Sequence, residues 1–408
     1  MYRLFAWRYF KAPKQANAIN IIAWVTVCVI AFTTACQVLV LSVFNGFEDL
    51  VKSLYGAFYT DIRVVPAKGK IMHADTLLLQ QIRQHPEVAV LAPVIEERAL
   101  LQHEELQTVI ELKGVDSNYS QVCGVAGKTV QGKFLIGNAE QPGLILGAGV
   151  QYAVAARIDG PTPPSIVNLV LPKKAVVSVS DPLQALSEGH ALTTGIFSIQ
   201  QDFDNQYAIT NLDFMKQQIG LADHEFSALE IKLKPEADPT QVQTQLQQQL
   251  GTAFLVKTRY EQNSSLYNTM KMEKWVIYAV LTLILLVAAF NMISALTMLV
   301  LEKQKDISIL RSFGCTGGMI RRIFLTEGLL LGGIGLGSGL ILATVIGLLQ
   351  VKFKLLKLQG GSFLVDYFPV NFQLVDYLLV AALAFIITLA AAWMPAKKAA
   401  GQPLQLKS

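Results

Sequence analysis

The sequence predicts an α-helical membrane protein with four transmembrane helices, plus a large α+β extracytoplasmic domain of two lobes inserted between helices 1 and 2. Three observations carry that expectation. Residues 21–44 and 275–301 hold no charged side chain over 24 and 27 positions, and two further apolar runs follow; each is long enough to cross a hydrocarbon core of ~30 Å as a helix. Residues 45–274 have the mixed strand and helix rhythm of a folded soluble domain. The basic residues sit on short flanks: segments 1–20, 302–322 and 396–408 hold 4, 5 and 3 Lys+Arg, against three in 351–376. The positive-inside rule then puts both termini in the cytoplasm.

The first span follows Arg3, Arg8, Lys11 and Lys14. Its apolar run continues to Phe44, past Thr33-Thr-Ala-Cys36, so an uncut helix is expected rather than a signal peptide. Asn45-Gly46, taken alone, reads as a turn or a helix interruption at the interface.

The outer domain, residues 45–274, carries 19 Lys+Arg and 25 Asp+Glu. Strands are expected at 61–66, 88–95, 108–115, 165–171, 191–199, 226–233 and 253–257, and helices at 75–84, 148–157, 212–219 and 239–250. Segments 61–115 and 226–257 read as one discontinuous α/β lobe, with a β-rich lobe, 116–210, inserted in it. Residues 260–274 are expected to pair with 45–58 as a helical stalk. This divides the chain into 1–44, 45–274 and 275–408.

The second span, 275–301, runs into a short amphipathic segment, Glu302 to Phe313. There Ile307 and Leu310, and Ile309 and Phe313, recur at helical spacing before the stop at Gly314. Such a helix hides its apolar face against the bilayer or against a partner. The third span, 323–350, contains Glu327 and six glycines between positions 328 and 339, which fit close helix packing in lipid. The fourth, 377–396, is expected to end at Pro395, followed by Lys397 and Lys398.

Several chemistries are excluded. The basic clusters flank apolar helices, so no nucleic-acid surface is expected. The nearest phosphate-loop match, Gly124 to Thr129, lacks its leading glycine, because position 122 is Val. The five histidines show no metal-ligand spacing and read as surface residues, and a single cysteine in the outer domain excludes a disulfide within it. Asn291 and Glu327 are the polar residues of interest inside spans. Asn291 reads as an interhelical hydrogen-bonding residue, and Glu327 as one that snorkels to the interface or pairs with Arg321 or Arg322.

Residues 42–50, SVFNGFEDL, together with MEK (272–274), AAFN (288–291), EK (302–303), DISILRSFG (306–314) and the closing PAKKAA (395–400), resemble the membrane subunits of the lipoprotein-releasing ABC transporter. That is the LolC/LolE family, within the wider MacB/FtsX-like permease group, and for Asn45-Gly46 the resemblance implies a rigid continuation of the first helix toward the outer domain. The resemblance implies a non-catalytic permease subunit of an inner membrane, in a Gram-negative-type bacterium, that extracts lipoproteins from the outer leaflet and hands them to a periplasmic lipoprotein carrier. It implies no cofactor in this chain: ATP and Mg are bound by a cytoplasmic ABC ATPase homodimer. The other expected partners are a second copy or sibling permease subunit, the lipoprotein substrate and membrane lipid. ATPase coupling falls on Lys305, Asp306, Ile307, Leu310, Arg311, Phe313 and Gly314, with Ile307, Leu310 and Phe313 in a groove of the ATPase. The lipoprotein cavity falls on Leu41, Phe44, Phe47, Ile277 and Leu281. A carrier-binding hook falls on Pro172, Lys173, Lys174, Val176, Val177, Val179 and Pro182, with the lysines steering toward an acidic rim. The alternatives are a tripartite efflux-type mechanotransmission permease and an FtsX-like regulator of a periplasmic cell-wall hydrolase.

Overall fold

The computed structural model describes residues 17–158, 163–174, 185–357 and 367–402. In chain order the elements are α1 (Asn17–Phe58), β1 (Ile62–Pro66), β2 (Met72–His73), α2 (Thr76–Arg83), β3 (Val88–His103), β4 (Leu106–Val115), α3 (Tyr119–Val122), β5 (Thr129–Gly132) and β6 (Gly143–Gly147). Next come α4 (Ala148–Val154), β7 (Ile166–Pro172), β8 (Leu186–Phe197), α5 (Gln201–Asp204), β9 (Tyr207–Asn211), α6 (Leu212–Ile219), β10 (Glu225–Phe226) and β11 (Ala228–Leu233). The last are α7 (Pro239–Leu250), β12 (Phe254–Thr258), α8 (Arg259–Gln262), α9 (Ser264–Glu302), α10 (Gln304–Ser312), α11 (Gly317–Phe353) and α12 (Leu374–Ala400). They form two compact units, one running from Val51 to Tyr267, the other holding the chain before it and nearly all of the chain after it.

Among the described residues, four helices are long and apolar enough to cross a membrane: Ile21–Phe58, Ser264–Glu302, Gly317–Phe353 and Leu374–Ala400. The turn read at Asn45-Gly46 does not form, and α1 continues to Phe58. Asparagine breaks helices by bonding its own backbone, whereas the Asn45 amide is spent on neighbouring helices.

The helical unit packs in three apolar layers. Ala23, Val27 and Ile30 meet Met292, Leu296, Leu331, Ala391 and Ala392; Val38 and Leu41 meet Leu281, Ala343 and Val380; Leu299 and Val300 meet Ile320, Phe324, Ala396 and Ala399. Small residues set the spacing, as expected where lipid-solvated helices associate by close contact. A Cβ at Gly332 would lie 2.1 Å from Thr388 Cγ2, and one at Gly339 would lie 2.5 Å from the Ala31 carbonyl oxygen. Gly333 and Gly337 face open space, so packing within the chain does not explain them. Pro395 does not end the last helix. It removes one backbone donor, but it lies between the packed residues Ala392 and Ala396, and α12 continues to Ala400 before Gly401 donates to the Lys397 and Lys398 carbonyls.

The unit Val51–Tyr267 is built on a ten-stranded sheet in the order β12-β1-β11-β3-β4-β9-β6-β8-β5, with β7 pairing β3 and β8. Segment 116–210 does not start a separate sheet: β9 joins β4 in parallel and carries β6, β8 and β5 into the same one. Alternating side chains feed two cores. One face, with Ile62, Leu91, Leu112, Leu144 and Leu169, is covered by α2, α4, α6 and α7. The other, with Val94, Val115, Ile145 and Ile209, packs Tyr55 and Phe58 of α1, Tyr119 and Phe203. The helices start where capping chemistry sets them: Asp75, Asn211 and Asp238 accept backbone N–H groups at the starts of α2, α6 and α7, with Pro239 in the first turn of α7.

β3 extends through Glu96, Glu97 and Arg98, where the hydrophobic pattern lapses, because these charges are paired. Lys113, 1% exposed, donates to Glu230 at 2.6 Å and lies 3.2 Å from Glu96, while Arg63 pairs with Glu96 and lies 3.7 Å from Glu230. Burial opposes ionisation of Glu96, but the charges of Arg63 and then Lys113 outweigh it and hold the carboxyl down at about 2. The Lys113 ammonium also lies 5.1 Å from the Phe58 ring centroid and 5.0 Å from that of Tyr119.

Candidate functional site

At one end of the helical unit, three helices meet through buried polar side chains. Asn45 of α1 donates from Nδ2 to Asp376 Oδ2 of α12 at 2.5 Å and accepts from Lys274 Nζ of α9 at 2.8 Å. The other oxygen of Asp376 accepts from the Tyr278 hydroxyl. Lys274 also lies 3.7 Å from Glu48. Asn45 and Asp376 are 0% and 3% exposed, so each bond replaces water that neither group can reach.

The same stretch of α1 receives the segment preceding α12. Asn371 donates its N–H to the Ser42 carbonyl at 2.9 Å and its side-chain amide to Asp49. A Cβ on Gly46 would lie 2.4 Å from the Pro369 carbonyl oxygen, so only glycine admits this approach. Ser42, Asn45, Gly46 and Asp49 follow helical spacing and make one docking strip. The SVFNGFED and MEK motifs are thus two sides of one clamp. Its third member, Asp376, has a sequence signal only as an acid at the edge of an apolar run.

At the opposite end of α9, Lys303 separates it from α10 and pairs with Asp306 at 3.0 Å. The expected role of Ile307 in a partner groove is corrected here: Ile307 is 2% exposed and packs with Leu299, Val300, Ile320, Phe324, Ala396 and Ala399 of its own chain. Arg311, one of the expected ATPase-coupling residues, donates to the Ala400 carbonyl, tying α10 to the end of α12. Leu310 is partly buried. The outward stripe is Lys305, Ile309 and Phe313, the last two 55% and 84% exposed, and Gly314 ends the helix at φ +83°. Helical spacing allowed either face; the six apolar partners of Ile307 decide which one turns inward.

The residues expected to line a lipoprotein cavity divide. Leu41 is fully buried and Leu281 nearly so, packed on each other's layer inside the bundle rather than on an open wall. Phe44 and Ile277 are partly buried, and Phe47 meets Phe368 edge-on with centroids 5.8 Å apart. Open apolar surface on the same stretches of α1 and α9 includes Val40, Val276, Val280 and Leu283. Asn291 is exposed on α9 and makes no side-chain hydrogen bond to a neighbouring helix among the described residues, and Glu327, far from snorkelling, is 2% exposed.

Among the hook residues, Val176, Val177, Val179 and Pro182 lie outside the described residues. β7 and β8 pair antiparallel up to Pro172 and Leu186, and Lys173 N–H donates to the Ala185 carbonyl at 2.8 Å, which closes the pair on both sides of the connection. Lys173 is exposed, whereas Lys174 is not free to steer a partner: its ammonium is bound by Glu225. The histidines are not all on the surface. His85 contacts Gln245 Oε1 at 3.0 Å and His103 contacts the Val154 carbonyl at 2.8 Å, both buried, while His73 and His224 are brought together. The Gly124 N–H, in the motif nearest to a phosphate loop, is taken by the Ala57 carbonyl at 2.9 Å.

Comparison with known proteins adds two family matches. The MacB-like periplasmic core domain matches residues 23–249, and the FtsX-like permease C-terminal domain matches residues 278–404. The lipoprotein-releasing system transmembrane protein LolC of Neisseria meningitidis is 27% identical, covering 98% of this chain and 97% of the relative. LolC of Xylella fastidiosa is 26% identical, covering 96% and 95%. LolE of Haemophilus influenzae, named for the same system, is 24% identical, covering 99% and 98%.

Proposed function

Because the chain belongs to the MacB-like periplasmic core domain family, and its last third matches the FtsX-like permeases, we propose that it is the permease subunit of an ABC-type complex that releases lipoproteins from the inner membrane. Relatives spanning nearly the whole chain are named for that system, which favours it over tripartite efflux and over regulation of a cell-wall hydrolase.

The observation that carries the reading is the reach of α9. This one helix, 39 residues or roughly 58 Å long, holds Lys274 and Tyr278 of the polar clamp near one end and delivers the chain into α10 at the other. An ATPase homodimer on the cytoplasmic side engages Lys305, Ile309 and Phe313 and moves α10. Ile307 and Arg311 pass that movement to α9, α11 and α12, and the clamp binds α9 and α12 to α1 at the far end. ATP and Mg stay on the partner, and this chain supplies no catalytic group. The twelve-to-three basic asymmetry supports cytoplasmic termini and an outer position for Val51–Tyr267.

Acyl chains leaving the outer leaflet lodge against Phe44, Ile277, Val276 and Val280, where burial contributes about 0.8 kcal/mol per CH₂. A second copy or a sibling permease closes the other side, and the connection between β7 and β8 meets the soluble carrier. Depleting this chain in its host should leave lipoproteins in the inner-membrane fraction. Normal outer-membrane delivery on depletion would reject the assignment.

A further inference from the structure

Sequence spacing gives no metal motif, but the fold assembles one. His73 on β2 and Glu225 on β10 are directly opposed in a two-stranded antiparallel ribbon, so their side chains share a face. His224, just before β10, brings its ring centroid to 5.5 Å from that of His73. His73 Nδ1 lies 3.5 Å from Glu225 Oε1, and one donor atom from each of the three residues lies within 4.8 Å of the others. Tetrahedral zinc with bonds of about 2.0–2.2 Å places its donors about 3.3–3.6 Å apart. One pair already meets that spacing, and the exposed His224 ring supplies the third donor within 4.8 Å of both.

The carboxylate is held for such a role. Its Oε2 accepts the Ala222 N–H at 3.1 Å, and the Ala74 N–H donates to the His224 carbonyl at 2.8 Å, which fixes the ribbon beneath. Oε1 is left facing the imidazoles, and there it already binds a cation, the Lys174 ammonium. The Glu225 side chain is 5% exposed and that of His73 is 69% exposed, so the site has a buried charged floor and an open side for a water ligand.

We propose that His73, His224 and Glu225 form a binding site for a divalent transition metal of the zinc class, in competition with the Lys174 ammonium for Glu225 Oε1. Two imidazoles with one carboxylate select such ions over calcium or magnesium, which take oxygen ligands. Metal entry releases Lys174, which leads directly into residues 175–184 of the β7–β8 connection. Metal availability therefore acts on the base of that connection.

The test uses the full-length chain purified in detergent and made metal-free. It is titrated with Co²⁺, the visible bands of tetrahedral cobalt being recorded, and then with Zn²⁺ as competitor. One equivalent should bind with a tetrahedral spectrum and be displaced by zinc. His73→Ala and His224→Ala should each weaken binding at least about tenfold, and Lys174→Met, which removes the competing cation, should tighten it. Both histidines are exposed, so the metal-free variants should melt like the parent, which separates loss of ligands from loss of fold. The proposal is overturned if the His73→Ala/His224→Ala double variant takes up cobalt like the parent, or if Lys174→Met leaves the affinity unchanged.

Discussion

Asn45 and Asp376 lie 331 positions apart in the chain and are joined side chain to side chain at 2.5 Å, both buried. The bond links the first and last long helices, and Lys274 and Tyr278 add the second. Asp376→Ala should leave the Asn45 amide and the Tyr278 hydroxyl without an acceptor, at about 1–3 kcal/mol for each buried group. A lower melting temperature in detergent and loss of lipoprotein release are expected. Asn45→Asp should be as damaging, since it sets two carboxylates side by side. The double exchange Asn45→Asp with Asp376→Asn should recover part of the loss, and additive losses in that double variant would show that the two side chains act independently.

The two faces of α10 predict opposite phenotypes. Ile307→Asp buries a charge among Leu299, Ile320 and Phe324 and should unfold the helical unit or lower its melting temperature sharply. Phe313→Asp and Ile309→Asp alter exposed positions and should leave the isolated chain stable while abolishing copurification of the ATPase. An Ile307→Asp variant as stable as the parent would place the packed face elsewhere.

Crosslinking distinguishes the open surface from the packed one. A photoreactive residue at Val280 or Val276, both more than half exposed, should capture lipoprotein acyl chains. One at Leu41, fully buried, should react within the chain instead. Capture from Leu41 but not from Val280 would require the bundle to open between α1 and α9 during release.

The ionic cluster on β3 sets a pH dependence. The Glu96 carboxyl ordinarily titrates at 4.5 and is held at about 2 in the fold. Its folded-state value is depressed, so its stabilisation is complete above about 4.5 and disappears as pH falls toward 2. Relative to Glu96→Gln, the parent should hold a constant advantage at neutral pH that narrows across that window. Lys113→Met should cost about 3–5 kcal/mol, because it removes the cation nearest Glu230 and leaves two buried carboxylates against Arg63 alone. Guanidinium melts of the full chain across pH check both.

Much of the fold is legible in residue order because its signals are local. The long apolar runs, and the Asp75, Asn211 and Asp238-Pro239 caps, announce helices without reference to the rest of the chain. The misses depend on distant partners. β6, Gly-Leu-Ile-Leu-Gly, is framed by glycines that read as loop, yet every residue in it is buried. β3 continues past Ile95 only because Arg63 and Lys113, from other strands, neutralise Glu96. α1 passes Asn45-Gly46 because residues beyond position 270 satisfy the asparagine and need the bare glycine. The motif stretches were visible in the sequence as patterns, but their chemistry was not, since Asp376 and Tyr278 belong to no pattern of their own. The inward turn of Ile307 was likewise beyond helical periodicity, which marks two apolar stripes on α10 and cannot rank them.

The measurement that bears most directly on the central claim is ATP-dependent transfer in a defined system. The chain is reconstituted into proteoliposomes with its ATPase and any sibling permease, loaded with a triacylated lipoprotein, and mixed with the soluble carrier. Lipoprotein should appear on the carrier only with ATP present, and the Phe313→Asp and Asp376→Ala variants should abolish it. If the intact complex hydrolyses ATP and leaves all the lipoprotein in the membrane, or if transfer proceeds equally without this chain, the chain is not the lipoprotein-releasing permease.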